Sequence, residues 1–467
     1  MSIFSAIVRL NEESGRRFNM VTVTTTSRNI HGISEDGIVK FLGIPYAYPP
    51  TQHRRFKHSK LFTSWDGDIE ATHFRAIPPQ PYNKLETFFS SENVTFSQNE
   101  DCLYLNIWMQ NNKNTNKPVI IYFYGGGFVN GHGSAELYTP ESIVQLHDVI
   151  VVTFNYRLGA LGFLDWSYFN EMFDKNNGLS DQINALKWVH HYIESFGGDS
   201  QNVTLMGQSA GSMSIMALMQ MPELDMLYQK VMLLSGTLRL DKEETGYLKA
   251  QHFHKLIDTH FLNKKLEDLT VSDILELQAL DEASRGKSKG LELIYAPIED
   301  DCMTRPLSKF KKPVVIGVTN DEGDCYIRNE SRKLEPSRFV EVMALNDINV
   351  KEIEAQTGKQ QAQLVTDLYF KAPALQLLDT LSHSTRWFLR FDWHLPTSSE
   401  FNSAYHILDL VFWFGKMNIL KAHGIKNLTS ETKLSEQMIS DLVTFAKSDI
   451  MPWQPYHSNN KEPYIYK

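Results

Sequence analysis

Cysteine is scarce in this chain: Cys102, Cys302 and Cys325 are the only three in 467 residues, and none lies in a C-x-x-C arrangement. They cannot all pair within one chain, so reduced thiols and a cytoplasmic setting are expected. Long apolar runs are missing too. No window approaches about 18 consecutive apolar residues, so no membrane span is expected. There is no basic excess either. Lys and Arg number 46 against 55 Asp and Glu, a formal charge of −9, and no basic stretch stands out. That argues against nucleic acid or an anionic membrane as the main partner. The opening segment from Met1 to Val8 has no basic n-region and soon meets Arg9, Asn11, Glu12 and Glu13, so no secretory signal is read there. Met20 is a second candidate start. The Asn-x-Ser/Thr sequons at Asn93, Asn202, Asn329 and Asn427 carry little weight without secretion.

What is present is an ordinary globular composition, 42% hydrophobic and 12% aromatic, on a chain long enough for one large core. Val21–Thr26 and Ile38–Leu42, with a turn at Asp36-Gly37, look like an antiparallel meander. Apolar runs typical of buried strands follow at Leu103–Trp108, Pro118–Tyr124, Val149–Asn155, Val203–Met206, Val231–Leu234 and Pro313–Val318. Between the third and fourth, Ile183, Leu186, Val189 and Ile193 repeat near 3.6, widened by Trp188. Ser180 and Asp181 are candidate caps for that helix, and Gly197-Gly198-Asp199 ends it. Strands separated by helices predict an α/β fold: a mostly parallel sheet covered on both faces, with ligands at the C-terminal strand ends. Two more polar helical stretches, about 242–289 and 328–382, are read as excursions over that edge. Residues 1–19 form an N-terminal extension, a candidate for disorder, and 20–467 a single domain.

Val203-Thr204-Leu205-Met206-Gly207-Gln208-Ser209-Ala210-Gly211 closes a strand and opens an amphipathic stretch. A serine between glycines at such a junction has the form of a nucleophile elbow. G-x-S-x-G alone would arise by chance in roughly one chain in six of this size, so its company decides. Acyl transfer needs a nucleophile, a base, a carboxylate to orient the base and donors for the oxyanion. Tyr124-Gly125-Gly126-Gly127-Phe128 follows a buried strand and leaves backbone N–H groups free to converge. Thr319-Asn320-Asp321-Glu322-Gly323 offers two rival carboxylates after another strand, and spacing does not choose between them. Ala404-Tyr405-His406 sits in a late loop before an aromatic-rich segment. Any one of 16 histidines is a weak candidate on its own; His190 and His191 lack a zincin spacing and read as structural.

Further pieces make the pattern specific. They are Phe41-Leu42-Gly43-Ile44-Pro45-Tyr46-Ala47, Glu100-Asp101-Cys102-Leu103-Tyr104-Leu105-Asn106-Ile107, Asn155-Tyr156-Arg157-Leu158-Gly159, Asn177-Gly178-Leu179-Ser180-Asp181-Gln182, Phe196-Gly197-Gly198-Asp199 and Ser235-Gly236. With the elbow, they resemble the type-B carboxylesterases, the cholinesterase-like branch of the α/β-hydrolases, from about Val21 to the C-terminus. The bacterial para-nitrobenzyl-type esterases are the nearest subgroup by these motifs. The resemblance implies an α/β-hydrolase fold and a serine carboxylesterase acting on uncharged small-molecule esters without a cofactor. It implies Ser209 as nucleophile, Glu322 as acid, His406 as base, and Gly126, Gly127 and Ala210 as oxyanion donors. It also implies an ion pair between Glu100 and Arg55, and a buried Ser235 with a supporting hydrogen bond. Two departures stand out. Cys102 has no upstream partner for the disulfide of secreted relatives, and Gln208 stands where many relatives carry Glu. The loss of that charge weakens the case for a cationic substrate. Amide hydrolysis or acyl transfer would use the same residues, and a non-catalytic binding member of the superfamily is the rival from outside enzymes. Phe128, Tyr405, Phe412 and Trp413 suggest an apolar pocket.

Overall fold

The computed structural model describes residues 6–10, 17–91, 94–262, 264–457 and 459–467, with side chains from residue 19 onward. Thirteen strands are present among them: β1 Ala6–Leu10, β2 Arg17–Thr24, β3 Asn29–Glu35, β4 Ile38–Pro45, β5 Ile69–Glu70, β6 Tyr104–Gln110, β7 Lys117–Phe123, β8 Ile150–Phe154, β9 Gly198–Gln208, β10 Lys230–Leu234, β11 Val314–Thr319, β12 Arg386–Phe391 and β13 Tyr464–Tyr466. They form one sheet in the order β1-β2-β3-β4-β6-β8-β7-β9-β10-β11-β12-β13, with β5 beside β3. From β8 through β13 all pairs are parallel, while β1 to β6 and the β6–β8 pair are antiparallel except for the short β5, which runs parallel to β3.

The two halves differ because their surroundings differ. β7, β8, β10 and β11 are buried at every position, so both faces need apolar side chains and the sequence reads as unbroken runs. β3 alternates buried and half-exposed residues, with His31 and Glu35 on the wetter face. The meander therefore contains a strand, β3, with no continuous apolar run in its sequence. Asp36 and Gly37 form its hairpin turn, both with positive φ (50° and 78°), as a tight twisted hairpin requires. Of the N-terminal extension, residues 1–5 and 11–16 lie outside the described set. Ala6–Leu10 pairs with Arg17–Val21.

The helix after β8 runs from Asn177 to Tyr192, a turn earlier than its expected caps. Ser180 and Asp181 are inside it and do other work. Ser180 Oγ accepts the Ser59 N–H at 2.8 Å, and the buried Asp181 carboxylate takes Arg157 Nε and Nη2, each at 2.8 Å. This forked pair ties the Asn155–Gly159 motif to the helix, which explains both motifs structurally. The expected stop holds: after a 3-10 turn at Ile193–Phe196, Gly197 adopts φ 83°.

Helices Glu243–His260 and Val271–Ser284 make up the first excursion. In the second, Pro336–Ala344, Gly358–Leu364 and Ala372–Thr380 are helical, with a π-helical turn at Val365–Lys371. The second has its own small core, including Leu291, Ile327, Phe339 and Tyr369. Parallel register aligns strand ends: Phe123 pairs with Gly207, Leu234 with Gln208 and with Gly317. The glycine triplet, Ser209, Ser235 and Glu322 thus leave the sheet at one edge.

Candidate active site

Ser209 occupies the one-residue turn between β9 and the helix Ala210–Leu218, with φ 54° and ψ −124°. For a residue bearing a Cβ this is a strained conformation, costing of order 1–3 kcal/mol. It is held because the Ser209 N–H donates to Leu234 O on the neighbouring strand at 2.8 Å. The turn closes only with glycine behind it: a Cβ on Gly211 would lie 2.0 Å from Phe123 O. The glycine triplet is pressed against the same turn, since a Cβ on Gly125 would meet Ser209 Cβ and Gln208 O, both at 2.9 Å. Gly126 and Gly127 have φ of 117° and 61°. Among the described residues, the N–H groups of Gly126, Gly127 and Ala210 find no protein acceptor. Ala210 is also the first residue of its helix, where the dipole is positive.

The two carboxylates differ in what they contact. Glu322 is fully buried; its Oε1 accepts the Thr319 N–H at 2.8 Å, and its Oε2 lies 2.6 Å from His406 Nδ1. Asp321 instead holds the chain that carries the histidine, its N–H donating to Ala404 O and its Oδ2 accepting the Ala404 N–H, both at 3.0 Å. The next residue, Gly323, donates its N–H to Thr366 Oγ1 at 3.0 Å, anchoring this loop to the π-helical turn. Ile407, just beyond the imidazole, has φ 78°, so backbone strain flanks the histidine as well as the serine.

His406 is not bonded to Ser209. Its Nε2 lies 3.2 Å from Gln208 Nε2, and among the described residues no hydrogen bond reaches the Ser209 hydroxyl. An ionised Glu322 only accepts, so Nδ1 carries the imidazole proton and Nε2 is left as an acceptor for the Gln208 amide. Gln208 therefore holds the acceptor that the Ser209 hydroxyl would need in order to give up its proton. Catalytic hydrogen bonds are often loose or displaced without substrate.

The rings beside the imidazole are Phe370 and Tyr326, with centroids at 4.9 and 5.6 Å. Neither was singled out from sequence, because Phe370 arrives on the π-helical turn, a feature common at functional sites but without a local sequence signature. Phe128, Phe412 and Trp413 are wholly buried packing residues, and only Tyr405, at 6%, is marginally open. Ser235 is buried as expected, but its hydroxyl has no hydrogen-bond partner among the described residues. Arg55 Nε and Glu100 Oε2 do pair, at 2.8 Å. All three cysteines are free. Among the described residues no His, Cys, Asp and Glu cluster could hold a metal ion, and no helix is long and apolar enough to cross a membrane.

Asp409 lies buried behind this site. Burial, followed by the charge of Glu322, pushes its carboxyl up to about 7. An unfolded chain releases that proton near pH 4, so the folded state binds more protons between about pH 4 and 7. Stability then falls as pH rises through that window, by up to about 1.4 kcal/mol per pH unit. Asp409→Asn is expected to flatten the fall, with melting temperatures at pH 5 and pH 8 closer together than in the unaltered protein. An unchanged pH dependence would contradict the burial argument.

The carboxylesterase family model matches residues 19–356 and 337–465. The chain belongs to the carboxylesterase family. It is 34% identical over 466 residues to the para-nitrobenzyl esterase of Bacillus subtilis (strain 168), covering 95% of this chain and 94% of that one. It is 28% identical over 422 residues to the phenmedipham hydrolase of Pseudarthrobacter oxydans, covering 84% and 82%. A solved thermophilic pNB esterase superposes with a TM-score of 0.86 at 32% identity, covering 95% of each chain, and a second pNB esterase structure with 0.83. The sheet and its helices are thus the α/β-hydrolase fold. The carboxylesterase is a serine-type carboxylic ester hydrolase.

Proposed function

We propose that this carboxylesterase hydrolyses neutral carboxylic esters through an acyl-enzyme on Ser209, with His406 as base, Glu322 as its orienting acid, and the Gly126, Gly127 and Ala210 N–H groups as oxyanion donors. The observation that carries this reading is the 2.6 Å contact between His406 Nδ1 and Glu322 Oε2, at the end of a strand separated only by β10 from the one that ends at the Ser209 turn. The contact fixes the tautomer in which Nε2 can take a proton. When an ester enters, the Gln208 amide releases Nε2. Ser209 Oγ attacks the carbonyl carbon while its proton passes to Nε2. The carbonyl oxygen becomes an oxyanion facing the three N–H groups, each worth roughly 2.7–4 kcal/mol by analogy with other oxyanion donors. Nε2 then protonates the departing alcohol. Water, deprotonated by the same imidazole, attacks the acyl-enzyme, and the imidazole returns that proton to Ser209 Oγ as the acid is released. The free cysteines favour a reducing, cytoplasmic setting.

The experiment is hydrolysis of 4-nitrophenyl butyrate against its anilide and against transfer to an added alcohol. Ester turnover exceeding both supports the reading, and no turnover of the ester opposes it.

Gln208 brings no charge to the site. A cationic ester should accordingly gain nothing over its neutral isostere. Gln208→Glu places a carboxylate beside Nε2 and is expected to raise the ratio of kcat/KM for butyrylthiocholine over a neutral isosteric thioester by about tenfold, one partly desolvated charge pair. An unchanged ratio would show that this position does not face the substrate.

A further inference from the structure

We propose that, beyond neutral esters, the site takes an ester whose apolar body ends in a carboxylate, recognised by Arg239; this rests on the reading of Ser209 given above. Between the two helical excursions lies a cavity of about 860 Å³. Its apolar lining includes Leu238, Leu293, Leu345 and Leu368. Its walls connect to the reaction centre at two points. Leu293 lies 3.9 Å from where a Cβ on Gly127 would be, and Ser235-Gly236, which lead to Arg239, pack against the Ser209 turn. The Arg239 guanidinium lies over the Tyr369 ring at 4.0 Å; Tyr369 touches Phe370, which touches His406. Arg239 thus stands two rings from the imidazole.

The cavity carries other charges, and their pairing makes Arg239 different. Lys249 is 2.6 Å from Asp241, and Arg285 bonds Asp281 at 2.7 Å and Glu292 at 3.3 Å. His252 is 3.6 Å from the same Asp281. Asp347 is exposed at the rim, where water screens it. Among the described residues no carboxylate lies within ion-pair distance of Arg239. Its Nη1 donates to Asn346 O at 3.1 Å and Oδ1 at 2.8 Å, and its Nε makes a long contact with Thr237 Oγ1 at 3.4 Å. Asn346 is itself fixed, its amide donating to Leu291 O and Val342 O. The guanidinium is therefore held flat on one side and fastened along one edge. Nη2 has no partner among the described residues, and it is not sealed from solvent. A planar cation fixed in this way, with an open edge in a cavity whose wall mixes leucines with already-paired charges, suits a carboxylate.

The test uses matched pairs: mono-4-nitrophenyl adipate against its terminal amide, with the charge on the acyl side, and 4-butyryloxybenzoate against 4-butyryloxybenzamide, with the charge on the leaving group. The unaltered enzyme should favour the anionic member of at least one pair in kcat/KM by about 10- to 100-fold, less so at high salt. Arg239→Met should abolish that preference while keeping turnover of 4-nitrophenyl butyrate within about twofold, and Arg239→Lys should restore part of it. No anionic preference in either pair for the unaltered enzyme overturns the proposal, whatever the variants do. So does an equal loss on charged and neutral esters in Arg239→Met. Failure of the unaltered enzyme on 4-nitrophenyl butyrate itself would instead count against the Ser209 reading.

Discussion

Ser209→Ala is expected to lower kcat for 4-nitrophenyl butyrate by about 10⁴- to 10⁶-fold with little change in melting temperature. The size follows from the mechanism: without Oγ no acyl-enzyme forms, and what remains is water attack in a site that still stabilises the oxyanion. The fold should tolerate the change, because the turn is held by the Ser209 backbone N–H on Leu234 and not by the hydroxyl, which has no partner among the described residues. Alanine retains the Cβ already accommodated at φ 54°. Stopped-flow nitrophenolate release should show no burst in the variant. Turnover within tenfold of the unaltered enzyme would remove Ser209 from the chemistry.

Glu322→Gln carries the second large effect, about 10³- to 10⁴-fold in kcat with KM nearly unchanged. The reason lies in the two bonds Glu322 makes. Thr319 N–H needs an acceptor at Oε1, so a glutamine there would turn its carbonyl to Thr319 and its NH₂ to His406 Nδ1. A donor facing Nδ1 selects the tautomer with its proton on Nε2, which cannot accept from serine. Asp321→Asn is the matched control. Among the described residues the Asp321 side chain hydrogen-bonds only to the Asn320 side chain and the Ala404 N–H, and its loss should cost less than about tenfold through looser placement of the histidine loop. A larger loss in Asp321→Asn than in Glu322→Gln would reverse the two roles.

Much of this was legible in the residues, for reasons that differ by element. Parallel strands such as β7 and β8 are buried on both faces and announce themselves as continuous apolar runs. The elbow is legible because Gly211 has no room for a side chain. β12 was missed because Arg386 and Arg390 interrupt its apolar pattern, the latter compensated by Asp392 at 2.6 Å across only two residues. The first turn of the helix Asn177–Tyr192 was misplaced because Ser180 and Asp181 are capping residue types employed in tertiary contacts. Spacing left Asp321 and Glu322 level, since both follow β11. Only the resemblance, and then the distance to His406, separated them. The engagement of Nε2 by Gln208 had no signal in the sequence at all, because it depends on where two side chains point.

The central claim is that Ser209 becomes covalently acylated with His406 as its base. Its most direct test is to react the purified enzyme with an alkyl fluorophosphonate and map the adduct by peptide mass spectrometry. One adduct on the peptide containing Ser209, forming in step with loss of ester turnover and abolished in His406→Ala, is the predicted result. An adduct on another residue, or full turnover after Ser209 is stoichiometrically modified, would contradict it.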